Sequence, residues 1–109
     1  MLQFDSKHFL TGEELSQKEL LALFAAAEVL RQGRSENINA AMTKTAPQPL
    51  RGKTIALVFD KPSLRTRVSF TVGIQELGGS SFELLGSQKK SEEPEDTIRV
   101  LQGMVHGLM

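Results

Sequence analysis

The chain has 109 residues, within the range of one small domain, and its 39% hydrophobic and 24% charged content favours a packed core over disorder. Lysine plus arginine number 13 and aspartate plus glutamate 13, so the overall charge recommends neither a nucleic acid nor an anionic membrane surface as a partner, and aromatics at 6% weaken a nucleic-acid reading further. Cysteine is absent and the two histidines lie far apart, which argues against disulfides, thiolate chemistry and metal binding.

Neither a metal nor a cofactor is therefore expected. No stretch approaches the roughly 18 to 20 apolar residues of a membrane span, and Met1 to Leu10 lacks a continuous apolar core, so a cytoplasmic location is the default. Ser16-Gln17-Lys18-Glu19 fits a capping box, and Leu20, Leu23, Phe24, Ala27 and Leu30 follow at helical spacing until Gly33. This predicts an amphipathic first helix. Thr11-Gly12-Glu13-Glu14 offers a second start just upstream, which either lengthens the helix or forms a separate turn.

Arg34 to Pro49 is polar and aperiodic and reads as a surface connection. Lys53 to Phe59 is a continuous apolar run of strand formers, the pattern of a strand buried on both faces. A second helix follows, through Val68, Thr71, Val72, Gln75 and Glu76, with Gly78-Gly79 as its stop. Ser81 to Leu85 is a weaker strand, Gly86 to Glu93 a polar segment, and Pro94 suits the first turn of a third helix running through Met104.

The order helix, strand, helix, strand, helix implies right-handed crossovers and a parallel sheet of the layered α/β class. Two strands make a poor parallel sheet, so these residues are expected to be the N-terminal portion of a larger three-layer domain.

Between the first strand and the second helix stands Asp60-Lys61-Pro62-Ser63-Leu64-Arg65-Thr66-Arg67-Val68-Ser69-Phe70. Its cations have the wrong sign for a helix N-terminus, which carries roughly half a positive charge. The third helix is a control within the same chain, since Glu92, Glu93, Glu95 and Asp96 complement its start. The second helix start is thus the one suited to an external anion. Ser63 is the candidate N-cap, the amides of Leu64, Arg65 and Thr66 are candidate donors, and Arg65 can grip two oxygens as a fork. A structural alternative stays open: Arg65 and Arg67 pair with acids such as Asp60 or Glu76, and Ser63 only caps. Two positions apart on a helix they do not share a face, so one of them is expected to brace the fold. No glycine-rich loop of the nucleotide-binding kinds precedes the helix, which favours a small phosphorylated ligand.

Phe59-Asp60-Lys61-Pro62-Ser63-Leu64-Arg65-Thr66-Arg67-Val68-Ser69-Phe70 resembles the carbamoyl phosphate signature of the aspartate and ornithine carbamoyltransferases, and Asp96-Thr97 with Arg99-Val100-Leu101 resembles that family's second helical signature. Leu64 stands where the family most often has Thr. Phe59, Asp60 and Lys61 look more like the ornithine branch, whereas Lys89-Lys90-Ser91-Glu92 is similar to the Lys-Lys-Gly-Glu loop of aspartate enzymes. The ornithine branch is favoured, with an aspartate or acylated-ornithine carbamoyltransferase, or a truncated fragment that binds anions or subunits without catalysis, as the alternatives.

The resemblance implies a partial carbamoyl phosphate-binding domain spanning residues 1–109, with the amino-acid-binding domain absent from this chain, which is then expected to be inactive alone. It implies attack by the δ-amine of ornithine on carbamoyl phosphate, giving citrulline and phosphate, in arginine biosynthesis, with no covalent enzyme intermediate or metal needed. Ser63, Leu64, Arg65 and Thr66 would hold carbamoyl phosphate, Arg65 and Thr66 acting in catalysis and Arg67 in support. A full-length enzyme would be a homotrimer, its loop at Ser87 to Glu92 reaching a neighbouring subunit through Ser87, Gln88 and Lys90. His8 and His106 read as exposed or helix-end residues, and Phe70 as core.

Overall fold

A computed structural model describes residues 3–36, 48–85 and 94–109, which divide into two compact units, Met1–Lys44 and Thr45–Met109. The first unit contains α1, Gln17–Glu36. Its start is the expected capping box: the Glu19 amide donates to Ser16 Oγ at 3.1 Å and the Ser16 amide to Glu19 Oε1 at 2.9 Å. The Thr11–Glu14 segment is a separate turn, in which the Glu14 carboxylate accepts the amides of Leu10, Thr11 and Gly12. Gly33 does not stop the helix, which continues to Glu36. A glycine costs a helix only about 1 kcal/mol relative to alanine, and Arg34 in the last turn suits the C-terminal dipole. Only part of the expected apolar stripe is covered, for Leu20 and Leu23 are half-buried while Phe24, Ala27 and Leu30 are exposed.

The second unit alternates β1 (Thr54–Phe59), α2 (Leu64–Glu76), β2 (Ser80–Leu85), α3 (Pro94–Gln102) and β3 (Gly107–Leu108). The sheet is parallel with order β2-β1-β3. Thr54 to Phe59 pair with Ser80 to Leu85 in register, and Ile55 and Ala56 pair with Gly107 and Leu108. The third strand corrects the two-strand expectation. It forms because β1 offers polar backbone on both edges: His106 donates its amide to the Thr54 carbonyl, Met109 to Ala56, and Val58 donates to Met109.

Burial of β1 matches its continuous apolar text. Adjacent residues point to opposite faces, and Ala56 and Leu57 are both at 0% exposure. Leu57, Phe59 and Ile74 of α2 form the core, with Leu50, Ile55, Leu85 and Met109 packed around them. Of the expected Arg34 to Pro49 connection, Arg34 to Glu36 belong to α1 and residues 37–47 lie outside the described residues, while Leu50, which follows it, turns inward with its amide bonded to the Leu77 carbonyl at 3.0 Å.

Helix α2 ends in a Schellman turn: Gly78 donates to the Gln75 carbonyl and Gly79 to that of Ile74. Helix α3 stops at Gln102, two residues short of Met104, whose amide closes a tighter turn onto the Leu101 carbonyl. Phe70, expected in the core, is 43% exposed. No helix among the described residues is long and apolar enough to cross a membrane.

Candidate anion-binding site

The chain leaves β1, passes through α2 to β2 on one side, then returns through α3 to β3 on the other. Its direction across the sheet therefore reverses between β1 and β3. In open parallel sheets the crevice beyond the carboxyl ends of the strands at such a reversal is where ligands bind. The segment Asp60 to Ser63 leaves the carboxyl end of β1 at that reversal and delivers the chain into the first turn of α2. The reversal requires β3, which the sequence did not announce.

Ser63 occupies the N-cap position in extended conformation, φ −141 and ψ 99, as expected. Its hydroxyl makes no capping bond and instead donates to Thr66 Oγ1 at 3.1 Å, so two hydroxyls converge at the helix start. The first closing bond of the turn runs from the Arg67 amide to the Ser63 carbonyl at 3.0 Å. The amides of Leu64, Arg65 and Thr66 precede it and have no acceptor within the helix. No acidic residue stands in this first turn, whereas α3 carries Glu95 and Asp96 in its own. Glu92 and Glu93, part of the expected contrast, lie outside the described residues.

The two arginines have different surroundings. Arg67 donates through Nε to Glu83 Oε2 at 2.8 Å and its Nη2 lies 2.7 Å from the same oxygen, an ion pair with β2. Thus Arg67 does pair with an acid, as the structural alternative held, but the acid is Glu83 rather than Asp60 or Glu76. Arg65 is exposed, and among the described residues its guanidinium has neither an ion pair nor a hydrogen bond. Two positions on α2 are separated by about 200° around the axis, so a guanidinium turned to β2 at position 67 leaves position 65 facing away from it. Leu64 is 75% exposed beside it.

The structure therefore brings Ser63, Leu64, Arg65 and Thr66 together in one open helix turn. Ser87, Gln88 and Lys90 lie outside the described residues. His106 uses Nδ1 to accept the Thr54 amide at 3.0 Å, which ties it to β1, and the His8 amide donates to Ser6 Oγ at 3.1 Å. Glu83 is the residue that the sequence left unmarked. The only signal available was a lone acid within a strand, which does not say which cation it meets.

Residues 7–109 match the family described as aspartate/ornithine carbamoyltransferase, carbamoyl-P binding domain. The ornithine carbamoyltransferase of Rhodopseudomonas palustris is 42% identical over 106 residues, covering 94% of this chain and 32% of that protein. Among solved structures, the anabolic ornithine carbamoyltransferase of Campylobacter jejuni superposes with a TM-score of 0.76 at 34% identity, covering 95% of this chain and 32% of that one. The catalytic subunit of M. jannaschii aspartate transcarbamoylase gives a TM-score of 0.74 at 31% identity, covering 94% and 33%. The chain thus spans about a third of the length of these relatives. With the match extending over residues 7–109 and the fold agreeing, the chain belongs to the aspartate/ornithine carbamoyltransferase family.

Proposed function

We propose that the first turn of α2 holds carbamoyl phosphate, as part of an enzyme that transfers the carbamoyl group to the δ-amine of ornithine and releases citrulline and phosphate. The observation carrying this reading is a helix start with three amides that have no acceptor in the helix, two converging hydroxyls and an Arg65 guanidinium that has no ion pair or hydrogen bond among the described residues, while Arg67 is paired with Glu83. An anion seated there accepts from amides aligned with the helix dipole and from a fork donor.

In this reading the Ser63 hydroxyl, the Leu64 amide, Arg65 and Thr66 grip the phosphate, and Thr66 also lies near the carbonyl oxygen. The neutral amine attacks the carbonyl carbon, a tetrahedral intermediate forms, and the C–O bond to phosphate breaks with the electron pair leaving on phosphate, which takes up the proton that the attacking nitrogen gives up. Donors fixed before the reaction stabilise charge that grows on the carbonyl oxygen and on the departing phosphate. Ornithine is preferred as the amine because relatives bearing that name reach 42% identity and because of the Phe59-Asp60-Lys61 lead-in. Aspartate is the second reading, supported by the Lys89-Lys90-Ser91-Glu92 text and the M. jannaschii likeness. A homotrimeric, cytoplasmic enzyme of arginine biosynthesis is the setting we assign, with Ser87, Gln88 and Lys90 reaching a neighbouring subunit.

Arg65→Ala in the intact protein tests the site. Removing a charge-assisted fork is expected to weaken carbamoyl phosphate binding roughly ten- to a hundredfold in calorimetry. Unchanged affinity would return Arg65 to a purely structural role.

A further inference from the structure

We infer that Glu83 and Arg67 form a positioning pair that sets the anion turn of α2 from the neighbouring strand β2, with Arg67 withheld from the anion itself. The inference rests on the function proposed above. Arg67 is engaged at both ends: its amide closes the turn onto the Ser63 carbonyl at 3.0 Å, and its guanidinium meets Glu83 Oε2 through Nε at 2.8 Å and Nη2 at 2.7 Å.

Glu83 stands opposite Leu57, which is at 0% exposure, in a six-residue register between β1 and β2. The carboxylate is thus carried by the most regular part of the sheet. Through it the position of Ser63, and with it the three open amides, is fixed from a strand as well as from the strand end that precedes it. Two linked consequences follow. The turn is held before any anion arrives, which lowers the ordering cost of binding. The cation that could pull the anion toward the sheet is paired with Glu83, so of the two arginines on α2 it is Arg65 that supplies the fork.

The sign of one substitution separates this from the alternative in which Arg67 is a direct ligand. Glu83→Gln removes a negative charge near the site and frees Arg67. If Arg67 binds the anion, that change tightens binding. If the pair positions the turn, it loosens binding. We expect carbamoyl phosphate affinity in the intact protein to fall up to about fivefold in Glu83→Gln and in Arg67→Gln. The double variant is expected to fall no further than either single one, since the two act as a unit.

The exchanged pair Arg67→Glu with Glu83→Arg is expected to recover more affinity than Arg67→Glu alone. Melting temperatures without ligand are recorded alongside, and a loss of affinity persisting well below the melting transition is the expected signature. Unchanged or tighter binding in Glu83→Gln overturns the inference. Should that variant not fold, Glu83→Asp, which keeps the charge but withdraws it by one methylene, gives the same comparison: several-fold weakening supports the pair and unchanged affinity overturns it. If Arg65→Ala has no effect, the function proposed for the turn fails. If Arg65→Ala weakens binding while Glu83→Gln does not, the function stands and the positioning pair falls.

Discussion

Gly78 and Gly52 are both left-handed, with φ of +92 and +75, yet they stand in different surroundings. A Cβ at Gly78 would lie 2.9 Å from Gln48 Cβ, whereas at Gly52 nothing stands within 4 Å. The backbone penalty for an L-residue in this region is about 1–2 kcal/mol and applies to both. Gly78→Ala adds a collision with a side-chain atom close to the backbone, which cannot swing away as a distal atom could. Thermal melts are therefore expected to place Gly78→Ala below Gly52→Ala, with both below the parent chain. Equal melting temperatures would mean that residue 48 yields freely. At the same scale, Arg65 and Arg67 share a residue type and a helix but not a role. Partner geometry separates them, and that geometry depends on where β2 lies. The half-exposed Arg67–Glu83 pair contributes only about 0–1 kcal/mol to stability as an exposed ion pair does, so its value lies more in placement than in energy.

Among the elements, α1 carries its own pH dependence. The amide of Ser16, then that of Asp5, holds the Glu19 carboxyl below the usual carboxylate range, with the Ser16 hydroxyl adding to this. Glu14 is lowered similarly, first by its own amide and then by those of Thr11, Leu10 and Gly12, against a smaller opposing effect of burial than their sum. A lowered folded value means that stabilisation is fully present above the unfolded value, about 4.3 for glutamate, and is lost as pH falls through the lowered one. Helicity of the intact chain followed by circular dichroism is expected to decline on acidification below about pH 4.3, with a shallower decline in Glu19→Gln. Identical profiles would show that the capping carboxylate does not govern the helix start. That start was readable in the sequence because both capping partners are three residues apart. The helix end was less readable, since Gly33 resembles a stop yet is tolerated so close to the last turn.

At the level of the whole second unit, the strands β1 and β2 and both of its helices were legible from local pattern. A run from Lys53 to Phe59 that is apolar on both faces, a cation-bearing helix start and the Gly78-Gly79 pair each signal through residues close in sequence. Strand β3 was not legible. Gly107 and Leu108 are too few to alternate, and they become a strand only because β1 has an unpaired edge beside them. The same applies to Arg67, whose partner lies sixteen residues away on another element. The motif marked the turn proposed to hold the anion, but its location at a chain reversal became visible only with the third strand.

The alternation of β1 between its two neighbours has a kinetic consequence. In a parallel strand the peptide groups of successive residues point to opposite edges, and Val58 donates toward β3 at Met109, which places the Leu57 amide toward β2. One strand thus carries two sets of amides, each clocking the detachment of a different neighbour. Within these 109 residues six pair β2 to β1 and two pair β3, so hydrogen–deuterium exchange on the 109-residue chain is expected to release the Val58 amide before that of Leu57. Simultaneous release would mean that the sheet opens as a single unit. Ordered release would make the seam between β1 and β3, beside the proposed anion turn, the part of the sheet that opens first in this chain.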